Sequence, residues 1–220
     1  MKASIKSKVV LAALTAALLG ASTLSAVGAE SAASVAQKGL AELAKGVYST
    51  GPNGEKAAAA SSLKFTAAEL TKLKAMKATA AISFHLTSDW TSGQQAGLTK
   101  RFGELGIKIV GVTQADFKAD VQVSQIQTLM AKKPNILVSI PVDGQATAGA
   151  YKAAAAAGAK IVFMDNTAAG LTVGKDYVSV VSADNYANGA ASAYLLGREL
   201  NGKGTIALIY HAADFWVTKQ

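Results

Sequence analysis

The 220-residue chain has no cysteine. Disulfides, thiolate-held zinc and a thiol nucleophile are thereby excluded. Histidine is scarce: His85 and His211 lie far apart and form no HExxH pair, so no metal site and no metal-dependent enzyme is expected. No GxGxxG follows the first strand-like segment, which argues against a nicotinamide or flavin cofactor, and no cofactor of another kind is expected. A GxSxG elbow and an assignable Ser/His/Asp set are also missing, which argues against a hydrolase. "GRELNGKGT" comes near a phosphate loop, but Gly204 stands where a magnesium-binding Ser or Thr belongs. A helix precedes it and a strand follows it, the reverse of the phosphate-loop order, so it reads as a turn. No apolar run approaches the ~20 residues of a membrane span.

What is present begins with a processing signal. Lys2, Lys6 and Lys8 precede the apolar run Val9–Leu19 and the small-residue stretch "GASTLSAVGAE". This is the pattern of a secretory signal peptide over residues 1–29, with cleavage after Val27-Gly28-Ala29 and Glu30 as the new N-terminus. Three of the 22 basic residues lie there, leaving 19 against 14 acidic ones, a modest net +5 on the mature chain. The lysines are scattered and form no stripe for nucleic acid. A lipid anchor needs a cysteine at the new N-terminus, and Glu30 is not one. The expected product is a soluble, unanchored protein of a bacterial periplasm.

Residues 30–78 are rich in Ala, Lys and Ser, broken once at "STGPNGEK". "VAQKGLAELAKGVY" and "TAAELTKLKAMK" read as helices, the second opened by a capping box from Thr66 to Glu69. This low-complexity extension reads as a surface preface or a partly disordered one, without chemistry. From residue 79 the pattern becomes regular. Strands are expected at Ala80–Leu86, Ile107–Val112, Ile136–Ile140, Lys160–Met164, Tyr177–Val181 and Thr205–Tyr210. Helices are expected at Ser92–Leu105, Asp120–Lys132, Gly144–Ala157 and Asp184–Leu200, the third ending at Gly158. Apolar strands without polar alternation, separated by helices, predict an α/β fold: a doubly wound parallel sheet covered on both faces.

Such a sheet binds ligands at the carboxyl ends of its strands. Those ends carry Asp89 and Trp90, then Asp116, Asp143, Asp165 with Asn166, Asp184 with Asn185, and His211 with Trp216. Carboxylates and amides engage hydroxyl groups directionally, and an indole covers the apolar face of a sugar ring. The set suits a neutral polyol better than a phosphate. Plainer readings compete. Asp143 and Asp184 also serve as helix caps. Trp90 also fits an anchor folded back onto the sheet. His85, inside a strand pattern, reads as a core histidine.

"AAISFHLTSDW", "KKPNILVSIPVD", "GAKIVFMDN" and "YVSVVSADNYANGA" resemble the corresponding segments of periplasmic sugar-binding proteins of ABC transporters, the ribose-binding type, over residues 79 to the end. The chain departs from that pattern at Ile140 (commonly Asn), at Asn166 (commonly Arg) and in the single aromatic Trp90 of the first loop, differences that bear on which sugar is taken. The resemblance implies two lobes closing on a ligand, with residues 79–183 as the first and 184–220 as the start of a second, incomplete one. It implies a C-terminally truncated member of the family. It further implies a non-enzyme that captures a sugar or polyol, as a monomer, and delivers it to a membrane permease. The candidate contacts are Asp89, Trp90, Asp143, Asp165, Asn166, Asn185, His211 and Trp216. The alternatives are a chemotaxis sensor, or a regulator of the lactose-repressor type with the same fold.

Overall fold

The central strands are apolar on both sides, so each must find cover on two faces. In the computed structural model, which describes residues 30–210 and 215–219, that cover is supplied by helices. The elements run α1 (Ala32–Leu43), α2 (Ala67–Met76), β1 (Thr79–Phe84), α3 (Asp89–Glu104), β2 (Lys108–Gln114), α4 (Ala119–Met130), β3 (Ile136–Ser139), α5 (Ala148–Ala156), β4 (Lys160–Met164), β5 (Ser179–Val181), α6 (Asn185–Glu199) and α7 (Trp216–Lys219). The sheet is parallel in the order β2-β1-β3-β4-β5.

Alternate residues divide the core. Ala81, Leu137, Ile161 and Phe163 face one way and pack with Ile126 and Leu129 of α4 and Tyr151 and Ala154 of α5. Ile82, Phe84, Val138, Ile140 and Met164 face the other way, against Leu98 and Phe102 of α3. The α/β class and the parallel sheet are as expected from the sequence. Phe163 is central to the first layer, edge-to-face with Tyr151 at 5.0 Å and with Tyr177 at 5.4 Å.

Several polar groups caught between the layers find partners. Ser139 Oγ donates to the Ser83 carbonyl at 2.8 Å, so the Tyr151 hydroxyl donates to Ser139 at 2.6 Å. Burial pushes the Tyr151 phenol far above its ordinary value. Gln122, fully buried on α4, donates to the Ile140 carbonyl at 2.8 Å and accepts from Val142 N–H at 2.7 Å. One side chain thereby fixes the loop that leaves β3.

The segment before β1 is ordered onto this body. The Thr66–Glu69 capping box opens α2, and Leu70 and Leu73 pack near Ala78, Ala80, Leu105 and Ile107. Helix α1 lies along α6, close enough that Gly39 touches the Tyr194 ring and any Cβ there would collide with it. Asp184 caps α6 through Ala187 N–H and also accepts from Tyr48 N–H, Ser49 N–H and Ser49 Oγ at 2.7–3.0 Å. Burial raises the Asp184 carboxyl, but these four donors outweigh it and leave it below its ordinary value. The helix-cap reading of Asp184 therefore holds.

One expected element does not form. Thr205–Tyr210 has no regular secondary structure and pairs with no strand among the described residues, and Leu208 is 81% and Ile209 95% exposed. A strand requires a ladder partner, and the apolar pattern alone does not supply one. The proposed signal peptide, residues 1–29, and His211 lie outside the described residues.

Two outcomes are expected. Phe163→Ala should cost about 3–5 kcal/mol in urea unfolding, since it opens a cavity beside two rings. Asp184→Asn should remove stability that the native protein holds above the ordinary carboxyl value of 3.8 and loses as pH falls through the lower folded value. Unfolding curves of the two proteins should converge in strong acid.

Candidate functional site

The carboxyl edge of the sheet is built by loops whose backbones the sequence caps locally. After β1, Ser88 and Thr91 form a reciprocal cap: Ser88 Oγ accepts from Thr91 N–H at 3.2 Å and Thr91 Oγ1 accepts from Ser88 N–H at 2.8 Å. Ser88 thus takes the capping role, and Asp89 and Trp90 fall in the first turn of α3 with their side chains outward. Trp90 is 46% exposed, which excludes an anchor folded onto the sheet. After β4, Asp165 adopts a left-handed backbone (φ 56°), uncommon for a residue with a Cβ. Its N–H donates to the Val181 carbonyl at 2.9 Å, and its Oδ1 accepts from Ser182 Oγ at 2.8 Å.

Trp90, Asp165 and Asn185 line one cavity of about 490 Å³, together with Gln94, Met164, Val181, Ser182, Ala183, Asn188 and Val217. This size lies in the usual range for small-molecule sites. Gln94 and Asn188 are not among the residues expected from the strand ends, because both lie within helices. The available signal was helical spacing: Gln94 lies four residues beyond Trp90 and Asn188 three beyond Asn185, on shared helix faces.

The other candidates lie elsewhere. Asp143 and Trp216 line a second cavity of about 290 Å³ with Gln145, Thr167, Pro52 and Asn53. Asp143 Oδ1 is occupied by Gln145 and Ala146 N–H groups at 2.8 and 2.7 Å, a turn-capping role. Pro52 and Asn53 come from the segment before β1, where Thr50 and Lys56 bridge and Glu55 holds Asn53. Their Ala-rich neighbourhood gives no sign of this; the segment is held by Tyr48 N–H, Ser49 N–H and Ser49 Oγ on the Asp184 carboxylate and by Asn53 Nδ2 on the Tyr177 hydroxyl. Asp89 lines neither cavity, nor does Asn166, whose Oδ1 is buried without a partner among the described residues.

His85, at the end of β1, packs edge-to-face on Phe117 at 5.3 Å, and its Nδ1 is buried without a partner among the described residues. Burial lowers its affinity for a proton, and the Asp165 charge opposes this only in part. Among the described residues no group of His, Asp and Glu could hold a metal ion, and no helix is long and apolar enough to cross a membrane.

The result is an open parallel α/β sheet whose carboxyl edge gathers acidic and amide side chains and an exposed indole around one cavity. Residues 80–218 match the model of the periplasmic binding protein domain, and the chain belongs to that family, whose members bind solutes rather than act as enzymes. None of the curated proteins compared with the chain matches it. Similar solved structures include a Caulobacter myo-inositol binding protein bound to myo-inositol (24% identity, TM-score 0.49, 56% of this chain and 40% of that one). An ABC transporter solute binding protein from Agrobacterium vitis, bound to α-D-tagatopyranose, has 25% identity and a TM-score of 0.49 over 54% of this chain and 42% of that one. The fructose-binding periplasmic domain of a hybrid two-component system has 16% identity and a TM-score of 0.51 over 57% of this chain and 41% of that one, a likeness of fold. The chain thus spans about two fifths of the length of these structures.

The depressed value of His85 sets a sign. The unfolded chain binds the imidazole proton more readily, so stability should fall as pH drops below 6.5 and level off below the folded value. His85→Phe should flatten that slope in unfolding experiments run between pH 7 and 5.

Proposed function

We propose that this protein captures a neutral sugar or polyol at the carboxyl edge of its sheet and delivers it to the membrane permease of an ABC transporter. The observation that carries the reading is the convergence of Trp90, Asp165 and Asn185 on one cavity of about 490 Å³. In this reading the indole covers the C–H face of the ring. Asp165 and the amides of Gln94 and Asn188 take its hydroxyls. A phosphate or carboxylate in the same place would meet the Asp165 charge, which favours neutral solutes. The family and its solute-binding character support the reading, as do the sugars and polyols named for the neighbouring structures.

The remaining parts follow from the sequence. The basic-then-apolar N-terminus supports secretion to the periplasm. The family resemblance supports capture between two lobes, with residues 79–183 forming the first and a hinge-bending closure that buries the solute. The chain itself performs no covalent step; the permease complex supplies the ATP hydrolysis. Asp89, Asn166, His211 and the pair Asp143 and Trp216 are secondary candidates.

A thermal-shift screen of the native protein against neutral sugars, polyols and sugar phosphates tests the proposal. A cognate solute at a hundredfold excess over its Kd should add about 2.7 kcal/mol of stability. Trp90→Ala should weaken binding by roughly thirtyfold or more, the effect of losing a central aromatic contact. Binding confined to sugar phosphates, or indifferent to Trp90→Ala, would contradict it.

A further inference from the structure

One chain of hydrogen bonds runs along the lining of the 490 Å³ cavity. Asn185 Nδ2 donates to Ser182 Oγ at 2.8 Å, and Ser182 Oγ donates to Asp165 Oδ1 at 2.8 Å. The directions are forced by chemistry. A carboxylate only accepts and an amide nitrogen only donates, so the one hydroxyl proton of Ser182 must point at Asp165. The second donor of the Asn185 amide is turned to the Ala183 carbonyl at 3.2 Å. Its nitrogen therefore has nothing left to offer a solute. Asp165 itself sits in a left-handed backbone (φ 56°). Oδ1 is occupied by Ser182, and no described group engages Oδ2.

We infer that Ser182 is a positioning residue for the solute site: oriented by Asn185, it holds the Asp165 carboxylate so that Oδ2 is presented to a hydroxyl donor of the bound molecule. This rests on the proposed solute-binding reading and revises one part of it, since Asn185 then acts through Ser182 rather than by touching the solute. It also specifies the ligand at this point. The group facing Asp165 must be a donor, as an alcohol is; a deoxy or O-methyl analogue at that position lacks the donor.

The test is a double-mutant cycle in the native protein, with the best solute from the screen and affinity measured by calorimetry. Ser182→Ala should weaken binding by roughly ten- to a hundredfold, the usual cost of losing a hydrogen bond to a charged group. Asn185→Ala should weaken it as well, and the double variant should bind no worse than Ser182→Ala alone, because the two side chains act in series. Ser182→Thr keeps the hydroxyl and should restore most of the affinity, which separates positioning from a general loss of structure. Melting temperatures without solute should stay close to native for all variants. Independent, additive losses for the two alanine variants would place Asn185 on the solute and overturn the inference. Native affinity in Ser182→Ala, with Trp90→Ala still disruptive, would also overturn it while leaving the solute-binding reading intact. A panel from which no solute binds the native protein would instead remove that reading, and the inference with it.

Discussion

Burial of β1, β3 and β4 on both faces is the constraint from which the remaining architecture follows. Ala81 and Leu137 need cover on one side, Ile82 and Val138 on the other, and every crossover must therefore carry a covering element across the sheet. Parallel strands then end at the same edge, so their loops are brought together there by the sheet itself. The cost is that polar side chains on those strands are sealed in. Ser83, Ser139 and Gln122 are accommodated because each finds a hydrogen-bond partner, and Gln122 holds the loop after β3 from inside the protein. The core and the carboxyl edge are in this sense one structure.

Much of this was legible in the sequence, for reasons that differ between elements. β4 falls on Lys160–Met164 as expected, because a short apolar run lies between Gly158 and Asp165 and both ends are marked. The Thr66–Glu69 cap was legible because its two partners are three residues apart. Thr205–Tyr210 has an equally good strand composition, yet composition records apolarity and not the presence of a neighbour to pair with. The segment before β1 failed in the opposite way. Its Ala-rich character suggests a surface without contacts, whereas Tyr48 and Ser49 reach Asp184 largely through backbone N–H groups that every residue possesses.

The edge was legible in kind more than in arrangement. Acidic and amide residues at strand ends pointed to it, but the same residues are the common helix caps. Asp143 and Asp184 spend their carboxylates on backbone N–H groups, whereas Ser88 relieves Asp89 and Trp90 of that task. Whether a strand-end Asp faces a solute or its own helix depends on which neighbour caps first. That competition is settled by loop geometry over two or three residues, below what spacing can resolve.

The exposed apolar run Thr205–Tyr210 has a practical corollary. Six consecutive residues of high β-propensity carry no charge and no proline, and Ile206, Leu208, Ile209 and Tyr210 among them are 61–95% exposed. Such a stretch is adhesive. Preparations of this polypeptide should clump with rising concentration and age poorly on the bench, and a lysine introduced at Leu208 would act as a gatekeeper that keeps it dispersed.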